Sequence, residues 1–163
     1  MTTPDTPSIK VSFYVLGASK AQDVLGFICD LTQKALNNSS QTLLILMDDE
    51  TQLKALDAQL WSAAATSFIP HVWLTPNADG HLDPQSAQTR APVLLAHQMP
   101  DHFEGMVLNT TAQPVNTRRT ATQNVTITRI LEIITPDDSS VQFGRDKYKH
   151  YQQLGHTLSH FKV

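Results

Sequence analysis

Three side chains near the C-terminal end of the chain could do recognisable chemistry together. Arg145, Tyr148 and Lys149 lie in the run Gly144-Arg145-Asp146-Lys147-Tyr148-Lys149-His150-Tyr151. Wound as an α-helix, they are an i, i+3, i+4 cluster on one side. An aromatic ring between a guanidinium and an ammonium is a poor core surface and a good receptor for an anion that carries an apolar group. The same spacing also suits a solvated helix face with the tyrosine lying along it. Phe143, Lys147, Tyr151 and Leu154 follow one another at steps of four, four and three, which predicts the stripe turned towards the core.

Other chemistry has weaker support. Leu43 to Glu50 is an apolar run ending in Asp48-Asp49-Glu50, similar to the acidic strand end on which nucleoside triphosphatases hold magnesium or orient water. Such enzymes also need a glycine-rich loop ending in Gly-Lys-Ser or Gly-Lys-Thr, whose amides cradle phosphates. Gly17-Ala18-Ser19-Lys20, after the first apolar run, lacks the second glycine and the spacing. The acids therefore fit a helix start, where carboxylates meet the positive end of the dipole. His156 and His160 have a helical metal spacing but no third ligand nearby, so no metal or other cofactor is expected. No nucleophile-elbow signature supports a catalytic triad. Cys29, the only cysteine, reads as a small buried side chain and fits a reducing compartment.

The elements that must position these residues follow from composition and pattern. With 163 residues, 40% of them hydrophobic, the chain suits one domain with a single core. We expect a disordered polar leader over 1–8 and the domain over 9–163. Twelve Lys and Arg against 15 Asp and Glu give a formal net charge of -3. The whole protein thus lacks the positive field of a nonspecific nucleic-acid binder, and a basic site must be local. No apolar run approaches the roughly 18 residues of a membrane span, and a cytoplasmic location is expected.

Ile9 to Leu16 reads as a first strand, broken by Gly17. From about Lys20, Val24, Ile28, Leu31 and Ala35 mark an amphipathic helix that stops near Asn37-Asn38-Ser39-Ser40. Thr42 to Met47 is continuously apolar, as is a strand covered on both faces of a parallel sheet. A second helix follows the acids, lined by Leu53, Leu56, Leu60 and Trp61. Ser67 to Leu74 is a short extended segment, with Pro70 placing it at an edge or a strand start. Residues 75–91 read as a long surface loop. Pro92 to Ala96 and Gly105 to Asn109 are brief strands, Thr110 to Asn124 is polar, and Val125 to Ile134 is the most strand-like stretch. The alternation predicts an α/β fold: a mostly parallel central sheet flanked by helices, Rossmann-like but without a nucleotide site.

Several segments together resemble one family, the chi subunit of the bacterial DNA polymerase III holoenzyme. They are Phe13-Tyr14-Val15-Leu16; Leu56-Asp57-Ala58-Gln59-Leu60-Trp61 with Ser67-Phe68-Ile69-Pro70-His71; and Arg129 to Ile134 leading into Arg145-Asp146-Lys147-Tyr148-Lys149 and Tyr151, with Leu154-Gly155 after it. The likeness spans almost the whole chain in the family's order. It implies a noncatalytic adaptor of the replicative polymerase complex. Chi proteins link the clamp loader, through the psi subunit, to the acidic C-terminal tail of the single-stranded-DNA-binding protein, so DNA is reached only indirectly and no membrane is involved. That tail ends in proline and phenylalanine with a free carboxylate.

Carried over by position, Arg145 would fork onto the terminal carboxylate, Lys149 would attract upstream aspartates and Tyr148 would pack on the phenylalanine ring. Trp61, Phe68 and Ile134 would form the apolar walls of the pocket, and psi would bind a separate, more apolar surface. The chain departs from the family at the leader, at Thr110 to Asn124, and at Val141 and Gln152, where members tend to carry basic residues. Two alternatives have distinct requirements. A degenerate nucleoside triphosphatase-like domain would need Asp48 or Asp49 on magnesium, and the missing phosphate loop argues against it. A direct single-stranded nucleic-acid-binding module would need Arg118, Arg119, Arg145, Lys147 and Lys149 to converge, and net acidity argues against that.

Overall fold

Apolar runs too short to be helices become strands here, and the amphipathic segments between them become the covering layers. The computed structural model describes residues 8–62, 69–74, 91–115 and 124–163. In chain order the elements are β1 (Lys10–Val15), α1 (Ala18–Ala21), α2 (Val24–Asn38), β2 (Thr42–Leu46), α3 (Glu50–Ser62), β3 (His71–Trp73), β4 (Val93–Ala96), β5 (His102–Asn109), β6 (Asn124–Ile134), α4 (Asp138–Gln153) and β7 (Thr157–Lys162). The strands form one sheet in the order β3-β4-β2-β5-β6-β1-β7. Every pairing in it is parallel. The fold is thus the expected α/β, Rossmann-like one. The leader over 1–7, the 75–90 loop and the Arg118-Arg119 segment lie outside the described residues, and so does Phe68.

Because side chains alternate along a strand, each buried strand feeds two cores. On one side of the sheet Val11, Phe13, Leu44, Val107 and Ile130 pack with Tyr151 of α4. On the other, Leu43, Ile45, Leu108 and Leu131 pack with Ile28 and Leu31 of α2 and with Leu53, Leu56 and Leu60 of α3. The consequence for any site is direct: α4 covers one face, and α2 and α3 cover the opposite one.

Local signals set the helix ends. The Asp23 carboxylate accepts from the Gly26 amide at 3.0 Å, and the Asp137 carboxylate accepts from the Ser140 amide at 3.1 Å. Each satisfies an N–H that has no partner in the first turn. Of the acids after β2, Asp49 does the same work, accepting the Thr51 amide of α3 at 2.8 Å, whereas Asp48 accepts the amide of Ala112, in the segment after β5, at 3.2 Å.

Three sequence expectations need correction. The buried stripe of α4 runs through Gly144, Lys147 and Tyr151, whereas Phe143 and Leu154 are 42% and 36% exposed. Gly144 is the reason: it lets the helix approach Ile134 so closely that an added Cβ would lie 2.6 Å from Ile134 Cδ1. The line of contact therefore passes one position further along than the apolar residues suggest. Secondly, His156 and His160 are not on a helix. His156 precedes β7 and its Nδ1 accepts the Ile9 amide at 3.1 Å, while His160 lies in β7. Burial, and then the charge of nearby His150, hold the His156 imidazole below its ordinary range. Thirdly, Trp61 does not line the core as Leu53, Leu56 and Leu60 do; it is 60% exposed.

Candidate anion-binding surface

Helix α4 has two unlike sides, and its inner side decides where its outer one points. The Lys147 ammonium is buried, donating to Glu132 Oε1 at 2.9 Å and to the Thr111 carbonyl. Glu132 Oε2 accepts from the Tyr151 hydroxyl at 2.6 Å and from Asn109 Nδ2 at 2.9 Å. Tyr151 in turn accepts the Val115 amide at 2.7 Å. Burial pushes the Glu132 carboxyl above the usual carboxylate range, against the pull of the Lys147 ammonium and the other donors. The network pins α4 to β5, β6 and the segment after β5. It also fixes the rotation of α4 about its axis.

That rotation leaves Arg145 and Lys149 exposed and Tyr148 half buried. Tyr148 packs against the core on the α4 side, as does Ile134 one turn away beneath Gly144. Its ring lies 5.0 Å from His160 and 5.7 Å from Phe13, centroid to centroid. Among the described residues, neither Arg145 nor Lys149 pairs with a carboxylate. Asp146, the acid between them in sequence, accepts from Gln142 Nε2 at 3.1 Å instead. The surface thus offers two cations, an aromatic ring and an apolar floor, with no anion among the described residues to occupy them. Such a surface suits a carboxylate attached to a ring or an alkyl group.

Of the six residues expected to act together, the structure brings Arg145, Tyr148, Lys149 and Ile134 to one place. It does not bring Trp61. That residue lies in the last turn of α3, on the opposite face of the sheet and towards its other edge, with its ring 5.4 Å from His71. His71 is itself held by Asp57 at 2.7 Å and by the Ile69 carbonyl at 2.7 Å. Lys147 also leaves the cationic surface, since its ammonium turns inwards to Glu132. The five-cation convergence of a direct nucleic-acid site therefore loses one member, and Arg118 and Arg119 lie outside the described residues. Sequence reasoning missed Glu132. The signal was there: a carboxylate inside Ile130-Leu131-Glu132-Ile133-Ile134, a strand covered on both faces, must have a buried partner.

Fold and surface together define a parallel α/β domain with a cationic, aromatic face. The family model for the DNA polymerase III chi subunit matches residues 9–159, and the chain belongs to that family. Among curated proteins it is similar to the DNA polymerase III subunit chi of Pseudomonas aeruginosa, 26% identical over 155 residues, covering 94% of this chain and 96% of that protein. It is equally similar to the subunit chi of Escherichia coli, 26% identical over 153 residues, covering 91% and 94%. Among solved structures, T4 UvsW matches 96% of this chain with a TM-score of 0.58 at 10% identity, and this chain spans 41% of it. That likeness is one of fold alone.

Proposed function

We propose that this protein is a noncatalytic accessory subunit of the replicative polymerase, joining the clamp-loader complex, through psi, to the acidic C-terminal tail of the single-stranded-DNA-binding protein. The observation that carries the reading is the outer side of α4, where Arg145 and Lys149 flank Tyr148 with no carboxylate partner among the described residues. Arg145 takes the terminal carboxylate of the tail, the phenylalanine ring lies on Tyr148 above Ile134, and Lys149 attracts the upstream aspartates. A short acidic peptide on a shallow surface binds with a dissociation constant in the micromolar range, roughly -7 to -8 kcal/mol, and weakens with salt. Many tails on one coated strand raise the effective concentration, so exchange stays fast while the protein stays bound. Trp61, on the opposite face, belongs in this reading to the separate apolar surface for psi.

The test is fluorescence anisotropy of a labelled peptide copying the tail, beside a control lacking its last phenylalanine. Wild-type protein is expected to bind saturably and only with that phenylalanine present. Arg145→Ala is expected to lose binding at least tenfold while its circular dichroism is unchanged. Full binding by the folded variant would refute the assignment.

A further inference from the structure

The second wall of this surface is supplied by β7, the strand at the edge of the sheet. His160 is in register with Phe13, so its side chain lies on the α4 side, and so does that of Lys162 two residues on. Its imidazole is stacked 25° from the Tyr148 ring at 5.0 Å and 25° from the Phe13 ring at 5.6 Å. Both residues are exposed. Around His160, from α4 come the Tyr148 ring, with Arg145 and Lys149 three residues before it and one after; from β1 come Phe13, Val11 and Val15, none of them charged. From β7 itself come Leu158 and Lys162, with His156 at its start and already bonded to Ile9. His150 lies beside Tyr151, near His156. Among the described residues, the carboxylates in reach are engaged elsewhere: Glu132, beyond Phe13 on β6, by Lys147, Tyr151 and Asn109, and Asp146 by Gln142. His160 is thus unlike His71, which has Asp57 against it.

We infer that His160 is a contact of the tail-binding surface and makes it pH-sensitive: an acidic peptide lying between α4 and β7 gains a further cation, beside Arg145, Lys149 and Lys162, when this imidazole is protonated. This rests on the tail-binding reading above. A histidine is the side chain that changes charge between about pH 5 and 8, and an imidazolium stacked on two rings is held there by their π-faces. The peptide's carboxylates stay ionised over that range, so its charge is constant while that of the site rises. The sign follows: protonation favours the complex, and binding tightens as pH falls.

The experiment repeats the anisotropy titration with the acidic tail peptide at about pH 7.5 and about pH 5.5, at fixed ionic strength, on wild type, His160→Gln and His160→Phe. An exposed ion pair predicts about threefold tighter binding by wild type at the lower pH. Both variants are expected to show no pH response; His160→Phe keeps a ring against Tyr148, so its flat profile assigns the effect to charge and not to stacking. Because His160 is exposed on an edge strand, both variants should fold, which circular dichroism checks. The same threefold response in His160→Gln would overturn the inference and leave the tail-binding reading standing. Absence of binding by folded wild-type protein at either pH would overturn that reading, and the inference with it.

Discussion

Lys147 gives up its hydration to lie under α4, and the cost is tolerable only because Glu132 waits for it on β6. Removing one member of such a pair leaves the other buried without compensation, whereas replacing both by apolar groups of similar volume does far less harm. Lys147→Met is therefore expected to lower stability by about 3 kcal/mol, and Glu132→Leu with Lys147→Met together by less than the single change. Urea unfolding of the two variants checks this; a double variant that is no better than the single would mean that Tyr151 and Asn109 carry the network instead. The residue scale is also where the sequence is easiest to misread. Lys147 is legible as part of the inward stripe, since it stands four residues before Tyr151, but its chemistry is not legible without Glu132, fifteen positions back on another element. Arg145, Tyr148 and Lys149 are legible as a cluster because helical spacing alone brings them together. Trp61 is not, because position in the chain says nothing about which face of a sheet its helix will cover.

Elements were readable wherever their apolar period was long. β1, β2, β6, α2 and α3 follow directly from the pattern. β7 does not: Thr157 to Lys162 is largely exposed and polar, and it becomes a strand because β1 offers a free edge for six paired residues. Tertiary pairing there overrides a weak local signal. Another feature hidden from sequence is the close approach of β5 to β2 at Gly105. This residue has a φ of 149°, stands opposite Thr42, and an added Cβ would lie 2.2 Å from the Thr42 carbonyl oxygen. The obstructing atom belongs to the backbone, so it cannot rotate away. Gly105→Ala is expected to cost about 3 kcal/mol. Gly155 makes the comparison, because its φ of 83° is also unfavourable for alanine but nothing lies within 4 Å of the added carbon. There only the backbone strain is paid, about 1 kcal/mol. Equal losses for the two variants in denaturant titrations would show that steric contact at β2 contributes nothing.

At the scale of the whole molecule, the parallel sheet works as a partition. Tyr148 and Ile134 belong to the core on one face, while α3, which ends at the Trp61 region, belongs to the core on the other. Five strands separate β3, beside which Trp61 meets His71, from β7, which carries His160. Two surfaces so arranged can each be occupied without steric competition, which is what the proposed role between two partners requires. Substitutions at distant sites with no shared contacts are additive to within a few tenths of a kcal/mol. Trp61→Ala is therefore expected to leave tail affinity within about twofold of wild type, and, because the ring is 60% exposed, to cost about 0.5 kcal/mol of stability. The double variant with Arg145→Ala should bind the tail no more weakly than Arg145→Ala alone. Anisotropy on the four proteins checks both statements. If Trp61→Ala by itself weakens the tail tenfold, the peptide must reach around the sheet to both faces, and the two-surface arrangement fails.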